Sequence, residues 1–261
     1  MDLGIDGNAA LVTASSAGLG KASALALAAE GVDVTICGRD GSRLSAAADD
    51  VDEAGSGDVH PVRADVTDPD DVTRLVDETV EAFGGLDHLV TSAGNPPSTT
   101  FLETTERQWY QAYDQLVMST VWTIERACPH LRESSAGTIV CLTSRTVTEA
   151  VDGLLLSNTV RRGVSGLVQT LSREFAPEIR ANSVLPGLIE TDSVVDLLEA
   201  GVERGEYADY DEGLAALSAD VPLGRIGDPA ELGAVVAFLS SERASYVNGA
   251  EVPIDGGTIR G

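Results

Sequence analysis

Seven short apolar runs, at residues 9–13, 32–37, 59–64, 86–91, 138–143, 180–185 and 250–254, recur along the chain, separated by segments long enough to form helices. A strand that is apolar throughout is buried on both faces, and parallel neighbours in a sheet are joined by crossovers that are usually helical. The alternation therefore predicts an α/β fold with a doubly wound, seven-stranded parallel sheet and helices on both faces. One helix is expected to begin near Gly18, others to follow Asp40 and Pro69, a long one to run over 105–133, a fifth over 153–176 and a last after Asp228. The pairs Asp68-Pro69 and Asp228-Pro229 each put a capping carboxylate before a proline suited to the first helical position. Residues 192–220 follow neither pattern: Glu199, Glu203, Glu206, Asp209 and Asp211 are mixed with Tyr207, Tyr210, Leu214 and Leu217. That stretch reads as one long irregular segment serving as a substrate lid. A length of 261 residues suits a single domain over 1–261.

Charge narrows the partners. Asp and Glu number 42 against 17 Lys and Arg, a formal net charge of −25, which repels nucleic acid and anionic membrane surfaces. Lys21 is the sole lysine, the other sixteen basic residues are arginines, and Asp outnumbers Glu 23 to 19. Such a surface repels itself at low ionic strength and is tolerated once salt shortens the Debye length to about 3 Å. The composition points to a halophilic, salt-loaded setting, with a plain acidic surface as the alternative. The opening MDLGIDG has neither the basic nor the apolar region of a secretory leader, and no run of about 18 apolar residues occurs. A cytoplasmic location is expected. Cys37, Cys128 and Cys141 are too few and too irregular for a disulfide framework, and His60, His88 and His130 follow no ligand spacing, so no metal is expected.

After the first run comes Thr13-Ala14-Ser15-Ser16-Ala17-Gly18-Leu19-Gly20, leading straight into a helix. A glycine-rich turn at that place lets backbone N–H groups and the helix dipole approach a pyrophosphate. Ala14 stands where such turns usually open with glycine, and a plain strand-to-helix turn remains the alternative for this segment alone. Further signals follow the later runs: Asp65-Val66, Ser92-Ala93-Gly94, Leu142-Thr143-Ser144 and Pro186-Gly187-Leu188-Ile189-Glu190-Thr191-Asp192. All are expected at carboxyl ends of strands, where open α/β sheets hold ligands.

Together these segments make the chain resemble the short-chain dehydrogenase/reductase family, in particular its 3-oxoacyl-carrier-protein-reductase-like branch. The likeness continues through Pro222-Leu223-Gly224-Arg225-Ile226-Gly227-Asp228-Pro229 to Asp255-Gly256-Gly257. It implies a single-domain Rossmann fold and an oxidoreductase that moves hydride between NADP(H) and a carbonyl or alcohol. The resemblance assigns Thr13, Ser15, Ser16, Gly18, Leu19 and Gly20 to the pyrophosphate turn, and Asp65 and Val66 to the adenine. It further assigns Ser92, Ala93 and Gly94 to the ribose, and Pro186, Gly187, Ile189 and Thr191 to the nicotinamide end. It also implies homodimers or homotetramers, built on helices corresponding to 105–133 and 153–176.

The second run ends Ile36-Cys37-Gly38-Arg39-Asp40. A carboxylate at position 38 would bond a free 2′-hydroxyl, whereas an arginine forks onto a 2′-phosphate. Gly38 followed by Arg39 favours NADP, with NAD the alternative if Arg39 only covers the surface or pairs with Asp40. At the reacting end the resemblance breaks. The family uses an asparagine, a serine, a tyrosine thirteen residues after the serine and a lysine four further on. Here Ser144 keeps the serine, while Leu116, Ser157 and Arg161 occupy the other three positions.

A serine hydroxyl is a far weaker acid than a phenol of pKa about 10, and an arginine is expected to stay charged and relay no proton. Ser144 can still donate to a substrate oxygen, the alternative for Ser144 and Ser157 being that their hydroxyls only bond backbone. Two readings follow: a reductase in which Ser144 and Ser157 polarise the carbonyl, Arg161 fixes the ribose, and the proton comes from water or from Tyr207 or Tyr210; or a non-catalytic nucleotide-binding or assembly subunit. A third, resembling the halohydrin dehalogenases, shares Arg161 but lacks their tyrosine. Trp109 and Trp122 are expected in the core or an interface, and Arg162 on a different helix face from Arg161.

Overall fold

A computed structural model describes residues 2–259. Its seven strands are β1 (Ala9–Val12), β2 (Asp33–Gly38), β3 (Val59–Arg63), β4 (His88–Thr91), β5 (Thr138–Leu142), β6 (Arg180–Pro186) and β7 (Glu251–Ile254). They form one sheet in the order β3-β2-β1-β4-β5-β6-β7, and every pairing is parallel. The helices are α1 (Gly18–Ala29), α2 (Gly41–Ala54), α3 (Pro69–Phe83), α4 (Glu106–Tyr113), α5 (Ser119–Glu133), α6 (Leu155–Glu174), α7 (Asp192–Glu203), α8 (Tyr210–Ser218) and α9 (Pro229–Ser240).

The two-residue period of the strands sorts the core into two layers. Leu11, Cys37, Leu89, Ile139 and Cys141 point to the face covered by α3, α4, α5 and α6. Ala10, Val12, Ile36, Val90 and Val140 point to the opposite face, covered by α1, α2 and α9. The chain runs outward from β1 to β3 and then returns beside β1 at β4, so the order reverses between β1 and β4. Ligands of open α/β sheets bind above such a reversal. Thr13 Oγ1 donates to Ser92 O at 2.7 Å and accepts from Ser92 N at 2.8 Å, tying the two strand ends together there. Asp68 and Asp228 cap α3 and α9 as their sequence predicts, accepting from Asp70 N and Ala230 N.

Two expectations need correction. The helix anticipated over 105–133 is interrupted by a π-helical turn at Asp114–Met118. Ser119 Oγ donates to Gln115 O at 2.5 Å and Thr120 Oγ1 to Leu116 O at 3.1 Å, and such back-bonding by hydroxyls bends a helix locally. Residues 192–220, anticipated as irregular, contain α7 and α8. The ring of Tyr207 sits between these helices against Gly201 and Gly213, so the acidic stretch has an apolar seam of its own. Among the described residues, no helix is long and apolar enough to cross a membrane.

Candidate active site

The nucleotide half of the site begins at the β1–α1 turn. Ala14 adopts a left-handed backbone, φ 47°, at the position where a glycine was expected, and Gly18 follows at φ 56°. Ser15 turns out to be structural. Its hydroxyl donates to Val12 O at 2.6 Å and accepts from Cys37 N at 2.9 Å, and its side chain is wholly buried. Thr13 is likewise consumed by Ser92, and a Cβ on Gly20 would lie 2.6 Å from Ala14 O. These residues shape the turn from within. Thr191, at the start of α7, overhangs the turn, with its Cγ2 3.7 Å from where a Gly18 side chain would begin.

The end of β2 decides which dinucleotide fits. A Cβ on Gly38 would fall 2.6 Å from Ser16 Oγ and 2.7 Å from Ser16 Cβ. A carboxylate of the kind that grips a free ribose hydroxyl has no room there unless Ser16 moves. Arg39 is 80% exposed at its side chain and its Nη1 lies 4.0 Å from Asp65 Oδ2. Arg39 does not pair with Asp40, but its exposure is also that of an ordinary surface arginine. Asp40 instead caps α2, accepting from Ser42 Oγ at 2.6 Å and from Arg43 N and Ser42 N, which together hold its carboxyl below the usual range. Arg63 Nε donates to Arg39 O at 2.9 Å, and Arg43 stands 3.5 Å from Asp192 at the head of α7. Three arginines thus gather at one end of the crevice in a chain of net charge −25. Asp65 Oδ1 accepts from Thr67 N and Thr67 Oγ1, leaving Oδ2 toward Arg39.

At the other end, β5 delivers Ser144 to the head of a short 3-10 turn, Arg145–Val147, where its Oγ accepts from Thr146 N at 3.2 Å. Ser157 and Arg161 lie one turn apart on the buried face of α6, 7% and 6% exposed. Arg161 Nη1 donates to Thr143 O at 3.2 Å, and Nη2 donates to Gly94 O at 2.6 Å and to Asn95 Oδ1 at 3.1 Å. One guanidinium therefore bridges the ends of β4 and β5. Three of its five N–H groups are used this way, and buried Nε has no partner. Burial alone pushes its pKa down to about 10, with no carboxylate to offset the loss of solvent. It stays a cation at neutral pH, though a less stable one than a surface arginine.

Leu116 is 2% exposed and belongs to the core, so the asparagine position contributes no polar group. The neighbouring Gln115 does. Inside the π-helical turn its Nε2 donates to Ala93 O at 2.6 Å and lies 3.5 Å from where a Gly94 side chain would begin. Neither Gln115 nor Asn95 stood out in the sequence, because the π turn shifts the register by one residue and Asn95 follows the recognised Ser92-Ala93-Gly94. Tyr210, one of the proton sources considered beside Tyr207 and water, is engaged by Glu190 and made a weaker acid. Its hydroxyl donates to Glu190 Oε1 at 2.6 Å, and that bond pushes its pKa up to about 12. A cavity of about 450 Å³ opens beside the ends of β6 and β7, lined by Ile189, Pro222, Arg225 and Asp255 among others, away from the two serines.

The left-handed turn, the crowded position above Gly38 and the exposed Arg39 together suit a phosphorylated dinucleotide laid across the sheet ends. Residues 13–258 match the family model described as enoyl-(acyl carrier protein) reductase. The chain is 30% identical over 258 residues to the 3-oxoacyl-[acyl-carrier-protein] reductase FabG of Aquifex aeolicus, covering 98% of this chain and 99% of that protein. The L-sorbose reductase of Gluconobacter frateurii, solved with NADPH and L-sorbose, superposes with a TM-score of 0.95 at 30% identity over the whole of both chains. An NADPH-bound short-chain oxidoreductase of Pseudomonas aeruginosa, described as containing an atypical catalytic center, superposes at 0.89 with 28% identity over 98% of each chain.

Proposed function

This chain belongs to the short-chain dehydrogenase/reductase family, and we propose that it is an NADP(H)-dependent oxidoreductase of carbonyl and alcohol substrates that works without the family's tyrosine and lysine. The observation that carries the reading is Arg161, a buried cation spanning the ends of β4 and β5 beside Ser144. When bound, the dinucleotide supplies or accepts the hydride. Arg39 holds the 2′-phosphate, helped by the absence of any side chain at Gly38. Ser16, Gly18 and Leu19 receive the pyrophosphate, Asp65 and Val66 flank the adenine, and Ile189 and Thr191 face the nicotinamide end. Arg161 keeps the 93–95 segment and the Ser144 turn at fixed separation, and its remaining Nη1 N–H meets the ribose. Ser144 and Ser157 donate to the substrate oxygen, which lowers the energy of the charge that develops there. Helices α7 and α8 cover the substrate.

The reading extends to assembly and setting. Exposed Phe101, Leu102, Tyr110 and Tyr113 on and before α4 give a homo-oligomer an apolar contact, and the acidic surface suits a salt-rich cytoplasm. Titration with NADPH and NADH, alone and with Arg39→Ala, in dilute buffer and in molar KCl, followed by turnover on a panel of ketones, tests the whole. NADPH should bind roughly tenfold or more tighter than NADH, with Arg39→Ala removing the difference. Equal binding of the two cofactors would refute the assignment of Arg39. Tight NADPH binding with no turnover would favour a nucleotide-binding subunit that does no chemistry, the reading that the missing phenol also supports.

A further inference from the structure

We propose, resting on the reading just given, that Arg43 and Asp192 form a clasp over the dinucleotide and that the cofactor leaves only when this pair parts. Arg43 lies in the first turn of α2, which follows β2, and Asp192 is the first residue of α7, which follows β6. In the sheet, β2 and β6 are separated by β1, β4 and β5, which sets them roughly 19 Å apart at ~4.8 Å per strand. Arg43 Nη2 nevertheless stands 3.5 Å from Asp192 Oδ2. Among the described residues, no other ion pair links the part of the chain before β4 to the part after it.

Between the two anchors lies the β1–α1 turn. On one side, a Cβ on Gly38 would fall 2.6 Å from Ser16 Oγ; on the other, Thr191 Cγ2 comes 3.7 Å from where a Gly18 side chain would begin. The end of β2 and the head of α7 therefore both abut the turn that receives the pyrophosphate, and the ion pair joins them across it. Among the described residues neither side chain makes a hydrogen bond, so each has the other as its charged partner. Behind Asp192, α7 and α8 pack chiefly on one another, and the bond from Tyr210 to Glu190 stays within the same stretch. This cover is thus held at its stem by its own residues and at its head by Arg43. The two side chains are 59% and 74% exposed, and exposed pairs shift an equilibrium only about 2- to 5-fold. Such a clasp slows departure without forbidding it.

The sign of one substitution tests the proposal. Asp192→Asn takes a negative group away from a bound polyanion, so its field alone would slow release of NADPH, whereas an opened clasp speeds it. NADPH is bound in the absence of substrate, chased with excess NADP⁺, and its fluorescence followed in stopped flow. Release from Asp192→Asn should be about 2- to 5-fold faster at ~0.1 M KCl. The difference should vanish at ~1 M, where the screening length is about 3 Å. In an Arg43→Gln background the Asp192 substitution should no longer accelerate release, because its partner is already gone. Glu199→Gln removes the same charge from the same exposed helix without touching the pair, and should leave release unchanged or slower. Unchanged or slower release from Asp192→Asn overturns the clasp and leaves the cofactor reading intact. So does acceleration that persists beside Arg43→Gln or that Glu199→Gln reproduces. Failure of the unaltered protein to bind NADPH overturns both.

Discussion

Arg161→Met should leave the fold almost as stable as before while stripping it of cofactor affinity. The guanidinium makes three hydrogen bonds, to Thr143 O, Gly94 O and Asn95 Oδ1, and each is worth about 1 kcal/mol net, so their loss costs about 3 kcal/mol. Against this stands the cost of burying the charge. A guanidinium brought from its ordinary value down to about 10 is held at neutral pH at an expense of about 3 kcal/mol relative to the unfolded chain. Methionine is flexible and apolar and fills the vacated space without a charge. The two contributions nearly cancel. Urea unfolding at neutral pH in the absence of cofactor should show a change within about 1 kcal/mol, whereas NADPH affinity should fall roughly tenfold or more because the remaining N–H groups are gone. A loss of stability beyond about 3 kcal/mol, with NADPH affinity unchanged, would refute the reasoning and make Arg161 a structural strut.

His88 should set an acid limit. It is fully buried between Asn8 and Thr138, and burial, aided by Arg180 and opposed by Asp87, pushes its pKa down to about 4. The unfolded histidine takes up its proton near pH 6.5, so stability should be fully present above that value and fall by about 3 kcal/mol as pH drops toward 4. Denaturant unfolding of His88→Gln across this interval should show the slope flattened, and an unchanged slope would rule His88 out as its source. Ala14 pays about 1 kcal/mol or more for its left-handed backbone, against about 0.5–1 kcal/mol of extra chain entropy that glycine brings to the unfolded state. Ala14→Gly should therefore raise the urea midpoint slightly, and a loss of more than about 1 kcal/mol would show that the methyl group is needed where it sits.

Sheet and helices were legible because each signal was local. Apolar runs such as 138–143 mark buried strands, and Asp68-Pro69 marks a helix start, without reference to anything distant. The segment 192–220 was misread because what joins its helices is the ring of Tyr207 seated against Gly201 and Gly213, supplied from within the same stretch and only after α7 and α8 fold together. At the candidate site, Ser144, Ser157 and Arg161 were picked out by the resemblance, which counts the family's catalytic positions onto them. Their company was not. Gln115 reaches Ala93 only through a register shift that no propensity announces, and Ser15 loses its hydroxyl to β1 and β2 in a way that depends on the strand pairing. Arg161 carried the least readable property of all, since the sequence shows an arginine but not the missing carboxylate.

The π-helical turn at Asp114–Met118 also acts as a gear between two surfaces. Each residue advances an α-helix by about 100°, so the one extra residue accommodated in this turn sets the rotational phase of α4 independently of α5. Upstream of the turn, α4 shows Tyr110 and Tyr113 to solvent; downstream, α5 keeps Ile124, Ala127 and Leu131 in the core. Mutational drift on the outer face of α4, where a second copy or a changed lid would press, can thus proceed without rotating the packed half of the helix. The same slack means that losing a single residue here would swing Gln115 off Ala93 while every strand stayed in place, so the site depends on chain length at this point as much as on the identity of any side chain.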